Sequence, residues 1–187
     1  MQAQDHAKDK GVIMKHLVLT VIGKDRCGIV EQVASLVSQH QGNWLASSLQ
    51  RLSGQFAGMV EVAVPAAKVD ALSEQLSQLA DLYVQVVEAS EEIIADEGKP
   101  CILNITANDR AGIVQEVTQA LLSMGISINK IQSGVAPAPN WGGQLFQATL
   151  TLPELDESGI DQLTERLEAL ADDLMVDVTS SQPAFTN

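Results

Sequence analysis

Aromatic residues are scarce in this chain. Three Phe, two Trp and one Tyr make up 3% of its 187 residues. Any core must therefore be packed from Val, Leu, Ile and Ala, and a hydrophobic content of 45% is enough to supply one. Basic residues are scarce as well: 11 Lys and Arg stand against 24 Asp and Glu, a net charge of −13. Nucleic-acid affinity comes largely from Lys and Arg neutralising phosphates. The densest basic group is Lys8, Lys10 and Lys15 near the start of the chain. That balance argues against direct nucleic-acid binding and against an anionic membrane surface. Cys27 and Cys101 are the two cysteines, too few for a disulfide framework. No C-x-x-C or H-x-x-x-H spacing occurs, and His6, His16 and His40 are scattered, so neither a metal nor a cofactor is expected. No apolar run approaches the ~18 residues of a membrane span. The leading residues are polar, without the apolar stretch of a secretory signal. A cytoplasmic protein is expected, with 1–13 as a flexible extension.

Against these absences stands a repeat. Lys24-Asp25-Arg26-Cys27-Gly28-Ile29-Val30 matches Asn108-Asp109-Arg110-Ala111-Gly112-Ile113-Val114, 84 positions later. An apolar, β-branched stretch precedes each motif: Leu17 to Ile22, and Ile102 to Thr106. A helical pattern follows each and ends near Gly42 or Gly125. Further on, each copy has an apolar run closed by a proline, Pro65 or Pro153. Repeats of this kind decide the fold and are read before anything else.

Each copy predicts the same six elements. In the first, 16–22 alternates as a strand, and Ile29, Val33, Leu36 and Val37 fall on one helical stripe. Two strands follow at 44–52 and 55–64, joined by a Ser53-Gly54 turn. Val69, Leu72, Leu76 and Leu79 mark a second amphipathic helix, and 82–88 is a closing strand. The second copy predicts a strand at 101–107, a helix at 112–124, strands at 127–135 and 144–152, a helix at 157–171 and a strand at 174–179. The order βαββαβ is the split βαβ pattern of the ferredoxin-like class. The fold class is therefore α+β, two tandem modules with antiparallel sheets and helices on one face. The expected domains are 14–88 and 100–180, with an acidic linker at 89–99 and a tail at 181–187. Within that linker, Ile93 and Ile94 can pack or extend a short helix. The second hairpin carries an insertion, Ala136-Pro137-Ala138-Pro139-Asn140-Trp141-Gly142-Gly143. It reads as a semi-rigid arm: a tolerated insertion, a lid or a partner contact.

The βαββαβ order, with Asp-Arg-x-Gly-Ile-Val between the first strand and first helix, resembles the ACT domain over about 15–90 and 100–180. The resemblance implies regulatory modules that bind amino acids at domain or subunit interfaces. A chain of two such modules, with Gly42-Asn43-Trp44-Leu45-Ala46-Ser47-Ser48 after the first helix, resembles the glycine cleavage system repressor family. That implies glycine as ligand and action through a DNA-binding partner protein, as a homo-oligomer. One departure is visible: ACT domains often have proline before the motif glycine, where this chain has Cys27 and Ala111.

The motif also has a physical reading of its own. Gly28 and Gly112 begin a helix, where unbonded N–H groups and the dipole favour an anion such as an α-carboxylate. Asp25 or Asp109 can accept from an ammonium group, or can cap the helix. Arg26 and Arg110 are candidate ligand-binding residues, or form surface ion pairs. Lys24's counterpart Asn108, together with Ile29 and Ile113, completes the loops. Asn43 in the first copy, and Ser127 and Asn129 in the second, are expected to line the same place with donors and acceptors. No nucleophile–base pair or phosphate loop is present, so an enzyme is not expected. The alternative to a sensor is a module that associates with proteins without any ligand.

Overall fold

The computed structural model describes residues 12–89, 98–139 and 142–180. They form two compact units, one on either side of the stretch 90–97. Lys8, Lys10, most of the leading extension, Glu91 to Asp96 of the linker, Asn140, Trp141 and the tail lie outside the described residues.

In the first unit β1 (Met14–Lys24) sends Leu17, Leu19 and Val21 to one face, each at most 2% exposed. Period-two alternation makes that face apolar. α1 (Ile29–Gln39) answers with Ile29, Val33 and Val37, spaced four apart and buried. β2 (Asn43–Leu52) and β3 (Gln55–Pro65) form a hairpin. Its turn residues Ser53 and Gly54 both take positive φ, 48° and 79°. Two left-handed residues match the twist of the flanking strands. A single 3₁₀ turn leads into α2 (Val69–Ser77), which buries Leu72 and Leu76, and β4 (Leu82–Glu88) closes the unit. The strand order is β2-β3-β1-β4, all antiparallel.

The second unit repeats the plan with β5 (Cys101–Asn108), α3 (Ile113–Ser123), β6 (Lys130–Pro137), β7 (Gln144–Leu152), α4 (Glu157–Glu168) and β8 (Met175–Ser180). Its order, β6-β7-β5-β8, is the same. Leu103, Ile105, Leu121, Leu150 and Leu163 fill its core. Burying each such aliphatic side chain contributes about 1.5–3 kcal/mol. The α+β class and the two-module plan stand as the sequence implies them.

Local differences are instructive. Gly42 is not the left-handed stop of α1; Gln41 takes that conformation, with φ 59°. Gly42 is instead a close approach: a Cβ there would meet Val37 Cγ1 at 2.8 Å. β6 begins at Lys130 rather than 127 and runs on to Pro137, which pairs with Gln144. Proline is tolerated there because β6 is an edge strand. The Ala138 amide still donates to Gly143 O at 2.9 Å, so the hairpin reaches well into the expected arm. Helix α4 stops at Glu168, short of 171.

The faces turned away from the helices differ. In the first sheet Ile22, Met59, Tyr83 and Val87 are 46%, 55%, 64% and 50% exposed. In the second, one row across the four strands is Gln132, Thr149, Asn104 and Asp177. Thr149 Oγ1 donates to Asn104 Oδ1 at 2.9 Å within that row.

Candidate functional site: the two glycine loops

Each motif forms a tight turn from the first strand of its module into the first helix. Gly28 and Gly112 occupy the N-cap positions with φ of 88° and 96°. Only glycine takes this conformation without strain, which explains the residue type at both places. Neither helix has a side-chain cap. By contrast α4 is capped by Asp156, whose carboxylate accepts from Gly159 N at 2.7 Å. Asp25 and Asp109 therefore are not helix caps. Their backbone amides instead donate to the opposing hairpin, to Gly54 O and Gln144 O, both at 2.9 Å. The first-turn N–H groups of α1 and α3 are left without a side-chain acceptor, a feature that favours anions.

The side chains around the two loops are wired differently. In loop 1 the Asp25 carboxylate accepts from Arg51 Nη1 at 3.3 Å. Arg26 donates to the neutral Gln32 side chain at 2.8 Å and to Ala80 O at 3.5 Å. In loop 2 Arg110 makes a two-pronged bond to the Glu116 carboxylate, at 2.7 and 2.5 Å. That bond holds the Glu116 carboxyl below its ordinary pKa and raises Arg110 further. Asp109 has no ion pair among the described residues; the Asn108 amide donates to Asp173 Oδ2 at 3.1 Å.

The space beside the loops differs too. Next to loop 2 an open groove of about 680 Å³ runs along Val114, Thr118, Val135 and Phe146. Next to loop 1 Leu49 and Phe56 pack against Val21 and Ile29 and leave no open groove there. Above Gly28 itself nothing lies within 4 Å of a built Cβ, whereas above Gly112 the Glu116 Oε1 atom lies at 3.5 Å.

The fold does not gather every expected residue here. Asp25, Arg26 and Gly28 form one loop, and Asn108, Asp109, Arg110 and Gly112 the other. Ile29 and Ile113 offer only backbone, since each is 2% exposed and in the core. Asn43, Ser127 and Asn129 do not join them. Asn43 pairs with Ala63, which pairs with His16, eight residues along β1 from Lys24. At the usual strand rise that is about 26 Å away. The Asn129 amide bonds Thr151 O, opposite Ile102, about 20 Å from loop 2 by the same measure. The cause is the helix, which returns the chain along the sheet, so the second strand starts at the end remote from the loop. The hairpin tip comes back instead and brings Arg51, Val135 and Phe146. Those residues, with Gln32 and Glu116, were not singled out from sequence. The available signal was a polar residue six positions after each motif arginine, within the first turns of the helix.

Cys27 is exposed in loop 1, and Cys101 is buried in β5. Among the described residues no three metal-ligating side chains converge, and no helix is long and apolar enough to cross a membrane.

Comparison with known proteins adds four findings. The ACT domain family matches residues 15–87 and again 102–172. A protein of unknown role from Galdieria sulphuraria superposes with a TM-score of 0.78 at 24% identity, over 91% of this chain and all of its own. A candidate glycine cleavage system transcriptional repressor superposes with a TM-score of 0.65 at 18% identity, over 90% of this chain and 99% of its own. At such identity the likeness is one of fold. The UPF0237 protein MJ1558 of Methanocaldococcus jannaschii is 34% identical over 83 residues, 43% of this chain and 92% of its own length.

Proposed function

We propose, from the premise that this chain belongs to the ACT domain family as a tandem pair, that it is an amino-acid-sensing regulator without catalytic activity of its own. The observation that carries the reading is the duplicated glycine loop. Each copy sets uncapped helix amides beside an aspartate and an arginine, the chemistry that a zwitterion's two ends require. In the finer form of the proposal the ligand is glycine. The output is repression of the glycine cleavage system through a DNA-binding partner protein. Two things support it: a superposable neighbour bears that candidate role, and a net charge of −13 leaves few phosphate contacts for the chain itself. Titration calorimetry with a panel of amino acids tests the reading. Saturable binding of glycine or another small amino acid is expected. Absence of heat and of thermal shift across the panel overturns it.

A second reading is favoured by the exposed Ile22, Met59, Tyr83 and Val87 on the outer face of the first sheet. A second copy of the chain covering this face would make the protein an association module that needs no ligand. Light scattering with and without amino acid separates the two: mass unchanged by ligand and lowered by Tyr83→Glu supports association alone.

A further inference from the structure

The two loops share a backbone but not a charge balance, and the difference falls on one helix position. Gln32 and Glu116 are equivalent: each amide donates to its own motif glycine's carbonyl at 2.9 Å. Each side chain also receives the motif arginine. We infer that Glu116 is a built-in competitor for the ligand's carboxylate, so that loop 2 takes anions less readily than loop 1. The inference rests on the reading of these loops as ligand sites and states how that site is regulated.

Four observations support it. The Arg110 guanidinium is already engaged by both Glu116 oxygens, as it would be by a free carboxylate. The same carboxylate lies over Gly112, where a ligand would approach the helix amides, while the space over Gly28 is empty. Asp109 and Asp173 add negative charge at loop 2. At loop 1 Arg26 takes part in no ion pair among the described residues, and Asp25 is paired with Arg51. Lys24 adds positive charge there. Glu31, in the first turn of α1, and Asp81, next to Ala80, oppose it without pairing with Arg26. The groove beside loop 2 is the larger space, and volume alone would favour that loop. A ligand without a side chain gains nothing from a groove; the glycine carboxylate meets Glu116 at loop 2, while at loop 1 its ammonium group competes with Arg51 for Asp25. The pair is solvent-exposed, with side chains 37% and 39% accessible, so the effect is modest. An exposed ion pair of this kind changes affinity by about fivefold at most.

The test exchanges the two residues. Glu116→Gln gives loop 2 the wiring of loop 1, and Gln32→Glu does the reverse; both side chains lie on the protein surface. Two probes are used on the full chain: glycine by calorimetry, and sodium acetate followed at the Arg26 and Arg110 Nε NMR signals. In the unaltered chain acetate should shift Arg26 at about fivefold lower concentration than it shifts Arg110. Glu116→Gln should lower the acetate concentration that moves Arg110, and raise loop 2's affinity for glycine, each about fivefold. Gln32→Glu should weaken the Arg26 response by the same factor. If acetate shifts both arginines equally in the unaltered chain, or if Glu116→Gln leaves the Arg110 response unchanged, the inference fails, whatever glycine does. If acetate discriminates as stated while no amino acid gives heat, the inference stands and the sensing proposal falls.

Discussion

Loop 1 and loop 2 are copies of one turn, yet each satisfies a different member of its Asp-Arg pair internally. Loop 1 ties down its aspartate through Arg51, and loop 2 ties down its arginine through Glu116. Duplication kept what the backbone demands: glycine at positive φ and an aspartate amide bonded to the hairpin. It relaxed the neighbouring side chains that set which charge is left over. A shared motif therefore establishes a shared shape, while ligand preference is decided by residues outside the motif.

The largest expected effect probes whether the modules can be compared separately at all. Leu19→Ala and Leu103→Ala each empty a fully buried site in one core. Each should destabilise its own module by about 2–5 kcal/mol. Denaturant unfolding followed at module-specific amide signals should show the other module's midpoint unchanged. A common shift of both midpoints breaks the picture of two independent cores.

A smaller effect concerns the turn itself. Gly28→Ala and Gly112→Ala put a Cβ on residues at φ 88° and 96°. Each should cost about 1 kcal/mol through left-handed strain. The costs should be similar, because the Glu116 oxygen at 3.5 Å from Gly112 is at ordinary contact distance. A neutral or stabilising result at either position, by thermal melting, means that the turn is not held as described.

The smallest effect is electrostatic. Arg110's hydrogen bond lowers the Glu116 pKa, so the pair's stabilisation is present at neutral pH. It disappears as pH falls through that lowered value, below the ordinary carboxylate range. Carboxyl NMR should show Glu116 titrating below the common range and returning to it in Arg110→Gln. Gln32→Glu should create the same depression in loop 1. An unperturbed Glu116 in the unaltered chain removes the charge difference between the loops.

Much of this was legible in the sequence, because strand and helix periods, turn residues and the repeated motif all act locally. The Ser53-Gly54 turn and the Val33, Val37 stripe need no distant information. What escaped depended on where a helix sets the chain down again. Asn43, Ser127 and Asn129 look close to the loops along the chain, but α1 and α3 carry them to the far end of the sheet. Arg51 looks distant from Asp25 and is brought back by the β2–β3 hairpin. The Gln32–Glu116 contrast was visible as letters. Its meaning needed the side-chain direction that brings a helical residue back over the preceding turn.

The central claim is that the glycine loops are where a small amino acid is sensed. Backbone amide NMR during a glycine titration tests it most directly, since it reads every loop residue at once. The account predicts saturable shifts of the Gly28, Ile29 and Val30 amides, with Gly112 and its neighbours responding at higher ligand concentration. Saturable binding with its shifts confined to residues remote from both loops, such as the outer sheet faces, would contradict it.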